Sequence, residues 1–279
     1  MSQQIFYGRL QEALTEKAQA LDGVMGLAFK DLVSGHEITI RGDTIFPIGS
    51  SIKIAILLEF FRQAKTGKFS VNDRVWVEKH HKVNGSGVLQ FMGDHSMNCS
   101  LRDLAALMIN VSDNAATNML IDVVGMDNVN ANLQRLGLKS TRLERKMMDE
   151  PAAKKGNENV STPKEMMSLL TKLYKCDGIE EDVSTEALTI LKMPKLEQYL
   201  SSGVPPDVVV ANKPGMIPGV FGDSGIVYLP ERPYVLSVLT TYLRDPPMGQ
   251  EAVRKVSKIV YDHAWRVSKS TEIGRRFVP

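Results

Sequence analysis

Apolar positions recur along this chain with two periods, and the two periods occupy different regions. Near the N-terminus Ile5, Phe6, Leu10, Leu14 and Leu21 return at roughly helical intervals among Arg9, Glu12, Glu16 and Lys17, which predicts an amphipathic helix. GVMGLAFKDL and GHEITIRG then read as the two strands of a hairpin turning at Val33-Ser34. Toward the other end DVVVAN, GIVYL and YVLSVLTTYL read as three more strands, followed by an amphipathic helix from about Glu251 to Ser268. Between these ends the period is helical: IAILLEFFRQA, SLRDLAALMI, AATNMLIDVV, DNVNANLQRL and KEMMSLLTKL, with Gly125 and Gly137 placed to close two of the helices. The expected fold class is α/β. Residues 1–43 and 190–279 would form a discontinuous α/β domain whose sheet is covered by the terminal helices, and residues 44–189 an all-helical insert.

Composition narrows the function classes without choosing one. At 279 residues and 43% hydrophobic, the chain can bury a large core. A net charge of +2 spread over mixed charges offers no basic face, so nucleic acid is not an expected partner. The longest apolar stretch, Ile52 to Phe61, is interrupted by Lys53 and Glu59 and is too short to span a bilayer, so no membrane partner is expected either. Cys99 and Cys176 read as ordinary thiols, and the five histidines form no metal-binding pattern; neither a metal nor a cofactor is expected. The N-terminal segment reads as an amphipathic helix and not as the apolar core of an export signal. Two compartments remain open: the cytoplasm, or an exported location if an export signal has been removed. Oligomeric state is not legible.

The candidate chemistry begins at Ser50-Ser51-Ile52-Lys53, where a loop gives way to the apolar run IAILLEFF. Residues three apart share a helix face, so the Ser50 hydroxyl would lie within reach of the Lys53 amine, and a neutral lysine could take the serine proton. Unpaired N–H groups at the helix start would favour the oxyanion formed when that serine attacks a carbonyl. The same spacing recurs at Ser161-Thr162-Pro163-Lys164, but there Thr162, Pro163 and Glu165 read as a helix cap with its capping box. Two further motifs separate Ser50 from that decoy. Ser112-Asp113-Asn114 lies 62 residues beyond Ser50, after a helical segment that Ser100 would cap, and Lys213-Pro214-Gly215 lies 101 residues beyond Ser112, after the strand DVVVAN.

In these three motifs, their order and their intervals, the chain resembles the class A β-lactamases and related penicillin-binding proteins, whose signature is S-x-x-K, S-D-N and K-T-G. The likeness extends over nearly the whole chain, including a stretch similar to the family's omega loop, from Thr141-Arg142-Leu143 to Thr162-Pro163. The resemblance implies a β-lactamase-like fold with an antiparallel five-stranded sheet. It also implies roles: Ser50 the nucleophile that becomes acylated, Lys53 its base, Ser112 a proton relay to the leaving group, and Asn114 a hydrogen-bond partner of the substrate's amide side chain. Lys213 would supply positive charge near the substrate anion, and Gly215 belongs to the same third motif. The N–H groups of Ser50 and Met216 would form the oxyanion hole.

Three departures bear on the substrate. Counting from Arg142 and Arg145 puts Met147 where the family carries the glutamate that positions the deacylating water; Asp149 and Glu150 are the nearby acids, and Glu150-Pro151 matches the family's Glu-Pro shifted by three residues. Glu150 is therefore the first candidate acid, with Asp149 the alternative. Pro214 replaces the hydroxyl residue of K-T-G, which an edge strand tolerates. Asp223 and Ser224 stand where the family supplies an arginine for the substrate carboxylate, and an acid there would repel it. The resemblance thus implies a serine hydrolase acting on a small-molecule amide or ester, a β-lactam first. The alternatives are a peptidase- or esterase-like relative with little β-lactamase activity, and a penicillin-binding sensor that stays acylated.

Overall fold

The computed structural model describes residues 2–196 and 198–276. The chain divides into two compact units: Met1–Ser51, Ser161–Thr171 and Gln198–Pro279 in the first, and Ile52–Val160 with Lys172–Glu197 in the second.

In the first unit α1 (Ser2–Ala20) leads into β1 (Val24–Asp31) and β2 (Glu37–Ile40). The turn is set by Asp31, whose carboxylate accepts the N–H groups of Val33 and Ser34 at 2.8 and 3.1 Å. The second unit contributes α2 (Lys53–Lys65), α3 (Leu101–Asn110), α4 (Asn114–Val124), α5 (Met126–Arg135) and α6 (Glu150–Lys154). Then come α7 (Pro163–Lys175), within which the division between units falls, and α8 (Glu181–Leu191). The first unit resumes with β3 (Val210–Ile217), β4 (Val220–Val227), β5 (Tyr234–Thr241) and α9 (Pro246–Ser268). Its sheet has the order β2-β1-β5-β4-β3, and every pairing is antiparallel. Met25, Leu27 and Phe29 of β1 and Leu236 and Val238 of β5 share a core with Leu10 and Leu14 of α1 and Val253, Val256 and Val260 of α9. On the alternate positions of β1, Gly26 makes room for a second layer: a Cβ there would lie 2.6 Å from the Phe46 ring and 2.9 Å from Pro163. Those contacts lie within this unit, which includes residues 44–51 and 161–171 and ends at Ser51, while residues 190–197 belong to the second unit.

A polar cluster ties α1, the hairpin and α9 together. The Tyr7 hydroxyl donates to Asp31, and Arg232 Nε donates to the same carboxylate at 2.7 Å. Burial would raise the Asp31 pKa, but the hydrogen bonds from Tyr7, Ser34, Val33 and Arg232 outweigh it and hold the carboxyl below its ordinary value. His263, stacked on Phe6 with ring centres 4.3 Å apart, has its pKa lowered to about 4, first by burial and then by the Arg232 charge. A group whose folded pKa is depressed stabilises fully above its unfolded value, and that stability is lost as pH falls through the folded one. Stability is therefore expected to decline between about pH 6.5 and 4, with roughly 3 kcal/mol attributable to His263. In urea melts at pH 7 and 4.5, His263→Phe should narrow the difference; an unchanged difference would exclude the histidine as its source.

In the second unit α2 is buried on nearly all sides, and its neighbours are α3, α4, α5 and α8. Its buried acid, Glu59, is satisfied by Arg62 at 2.7 Å and Gln63 at 2.6 Å, one turn along the same helix. Ser100 caps α3 in a reciprocal box with Asp103, and in the first unit Thr162 caps α7 by accepting the Glu165 N–H at 3.1 Å. Gly125, at φ +81°, closes α4. Helix α8, whose Val183, Ala187, Ile190 and Leu191 are buried, is absent from the sequence expectations. Its β-branched and hydroxyl residues weaken the local helical signal, and burial of that one face outweighs them. Among the described residues no helix is long and apolar enough to cross a membrane.

Candidate active site

A 3-10 turn, Gly49–Ile52, spans the division between the units at Ser51/Ile52 and carries Ser50, three residues before Lys53 in the sequence. Ser50 is partly exposed whereas Ser51 is fully buried. Ser51 anchors the turn: its N–H donates to Ile48 O at 3.0 Å and its Oγ donates to Lys213 O at 3.0 Å. The third motif lies inside β3, not after it, and β3 is an edge strand, which accommodates Pro214. Gly215 is required by contact: a Cβ would lie 2.1 Å from Ile48 O and 2.8 Å from Ser51 N. Gly49 adopts φ +48°, and the backbone N of Met216 lies 3.1 Å from where its Cβ would be. The Met216 backbone therefore passes beside the residue preceding Ser50. Lys213 is 1% exposed and donates from Nζ to Pro214 O at 2.8 Å. Gly215→Ala is expected to push β3 off the Ser50 turn, costing about 1–3 kcal/mol of stability and most of the acylation rate. Thermal unfolding and stopped-flow acylation would check it, and retention of both would contradict the packing argument.

Asp223 requires a correction. It is fully buried and accepts Asn212 Nδ2 at 3.0 and 2.8 Å and the Leu200 N–H at 3.1 Å. Its position on β4 turns it into the core, where its carboxyl accepts three hydrogen bonds from two donors, so it presents no acid to a substrate carboxylate. Ser224 is likewise buried, bonded to Ser237 at 2.8 Å.

In the second unit Lys53 is fully buried and donates to three oxygens: Ser112 O at 2.8 Å, Ser112 Oγ at 3.1 Å and Asn114 Oδ1 at 3.1 Å. Ser112 sits at φ +53°, an unusual conformation for a residue with a side chain. Asp113 holds it there, capping α4 through Ala116 N at 2.9 Å and receiving Val88 N and Leu89 N at 2.7 and 2.9 Å. The loop from Thr141 is pinned by asparagines, each grasping main-chain groups. Asn130 bonds Leu143 N and O, Asn159 bonds Glu144 N, Arg145 N and Arg145 O, and Asn118 bonds Met147 N at 2.8 Å and O at 3.1 Å. Asn118 is one turn beyond Asn114 on α4, so the backbone of Met147 is fastened to the helix that carries Asn114. Met147 is 7% exposed. Asp149 caps α6 through Ala152 N at 3.0 Å, and Glu150 stands exposed at the first position of that helix. The asparagine clamps were not anticipated; the i,i+4 spacing of Asn114 and Asn118 was the available signal. Among the described residues no group of His, Cys, Asp and Glu could hold a metal ion.

The sequence model described as the Beta-lactamase enzyme family matches residues 9–264. The chain belongs to that family. It is 28% identical over 259 residues to β-lactamase OXY-2 of Klebsiella oxytoca, covering 90% of this chain and 88% of the relative. It is 27% identical to β-lactamase Toho-1 of Escherichia coli, covering 88% and 85%. Among solved structures, PBP-A superposes with a TM-score of 0.83 at 28% identity, covering 91% of this chain and 95% of PBP-A. A β-lactamase from Sphaerobacter thermophilus gives 0.84 at 28% identity, covering 92% and 97%. A point mutant of PBP-A has been solved as its acyl-enzyme with penicillin G. As a member of this family, the chain is a serine hydrolase of the class A β-lactamase type with the corresponding α/β fold.

Proposed function

We propose that β-lactams acylate Ser50 and that the acyl-enzyme breaks down slowly. Lys53 Nζ takes the proton from Ser50 Oγ as that oxygen bonds to the lactam carbonyl carbon. The carbonyl oxygen becomes an anion received by the N–H groups of Ser50 and Met216. When the lactam C–N bond breaks, Ser112 passes a proton from Lys53 to the leaving nitrogen, a route for which the 3.1 Å bond between Lys53 and Ser112 Oγ is suited. Asn114 orients the substrate's side-chain amide, and Lys213 attracts its carboxylate. The formation of a penicillin G acyl-enzyme by the PBP-A mutant supports this chemistry.

One observation carries the second half of the proposal. Asn118 fastens Met147 by both main-chain groups, so the loop position bound to α4 carries a thioether, which can neither orient nor deprotonate water. The test is benzylpenicillin followed by intact-protein mass spectrometry, with peptide mapping of the adduct and a chase to time its loss. A long-lived adduct on Ser50 is expected. An adduct elsewhere overturns the nucleophile, and rapid turnover without accumulation overturns slow deacylation.

A further inference from the structure

Residues 84–90 form a strap across the Ser112-Asp113-Asn114 turn, and its far end is held by a side chain assigned no role above. The strap approaches closely because Gly85 and Gly87 adopt φ +96° and +110°; a Cβ on Gly87 would lie 2.3 Å from the Asp113 carboxylate, and one on Gly85 2.7 Å from Asn114 Nδ2. Its carbonyls serve Asn114 directly. Ser86 O accepts the Asn114 N–H at 3.0 Å, and Asn84 O accepts Asn114 Nδ2 at 3.2 Å. The Asn114 amide is thus gripped from both sides: Lys53 Nζ donates to its oxygen on one side, and its nitrogen donates to the Asn84 carbonyl on the other. Gln90 closes the strap upon itself, donating from Nε2 to Gly85 O at 2.5 Å and to Gly87 O at 3.1 Å. These are the two glycines whose freedom permits the close approach, so without the donor the backbone between Asn84 and Val88 has more conformations open to it.

We infer that Gln90 is a positioning residue for Asn114, and through it a determinant of which acyl side chains the protein accepts. The inference rests on the acylation reading proposed above. A substrate bearing a side-chain amide relies on the orientation of Asn114; one lacking that amide does not. Gln90 touches no substrate and takes no part in bond making, so its loss should act on one class of substrate alone.

The experiment compares acylation rates, as kinact/KI, of the wild type, Gln90→Glu and Gln90→Met. The two substrates are benzylpenicillin and the penicillin nucleus carrying a free amine in place of the side-chain amide. Both variants keep the length of the side chain and remove the N–H donor, and thermal melts select whichever folds like the wild type. Acylation by benzylpenicillin is expected to fall about tenfold, the loss of a positioned hydrogen bond, while acylation by the nucleus stays within about twofold. Equal loss on both substrates, or loss on neither, would overturn the role assigned to Gln90 while leaving the acylation reading intact. A wild type that forms no adduct with either compound overturns that reading, and this inference with it.

Discussion

Met147→Glu is expected to shorten the life of the penicillin adduct on Ser50 by about 10²–10⁴-fold, the usual contribution of a positioned general base. The argument starts from the backbone. Because Asn118 binds both the N–H and the carbonyl of Met147, the substitution leaves the loop where it is and changes only the side chain. That side chain is buried, so the new carboxyl would lose much of its hydration, which raises a carboxyl pKa toward the range useful for taking a proton from water. Burial has a stability cost of about 1–3 kcal/mol if the carboxyl finds no partner, so a lower melting temperature should accompany the faster chase. Acylation should change little. If the adduct decays at the wild-type rate in Met147→Glu, the base must come from elsewhere, and the same chase on Asp149→Asn and Glu150→Gln tests the start of α6. A decay slowed by Glu150→Gln would identify that residue as the acid.

Lys53→Arg is expected to reduce acylation by at least about two orders of magnitude, since arginine keeps the charge but cannot give up a proton at working pH. Nζ donates to three oxygens, two of them on Ser112, an arrangement suited to a compact amine. A planar guanidinium can still satisfy oxygens there, so the folded state should survive better than in Lys53→Met, which removes the donor from all three oxygens. Ser50→Ala should abolish the adduct and leave the melting temperature near the wild-type value, because the buried anchor of that turn is Ser51. Rapid acylation in Lys53→Arg would reduce the lysine to an electrostatic part. Labelling that survives Ser50→Ala would remove the nucleophile altogether.

Reading the chain in one dimension recovers whatever depends on near neighbours. Ser100 with Asp103 and Thr162 with Glu165 are caps whose two partners lie within one turn, so their geometry follows from spacing alone. The hairpin at Val33-Ser34 and the closure of α4 at Gly125 are local in the same sense. The motifs Ser50–Lys53, Ser112–Asn114 and Lys213–Gly215 could be found and ordered because each is a short run of residues with its own chemistry. What the linear reading missed depends on partners far away in the chain. The third motif lies within β3 because β4 supplies its hydrogen bonds from residues 220–227. Asp223 looked like a charge facing substrate until Asn212 and Leu200 were seen to enclose it. Gly215 is a glycine because Ile48 O passes 2.1 Å from its missing Cβ, and residues 161–171 join the first unit because Pro163 packs on Gly26 and Lys164 N bonds Gly42 O at 3.0 Å. The loop shows the contrast within a few residues. Sequence placed Met147, Asp149 and Glu150 in one short stretch but gave no sign that the main chain of Met147 is held by the Asn118 side chain, 29 residues away. Residue order determined the chemistry this chain carries, whereas the long-range hydrogen bonds and close contacts of the folded units decided which side chains can use it.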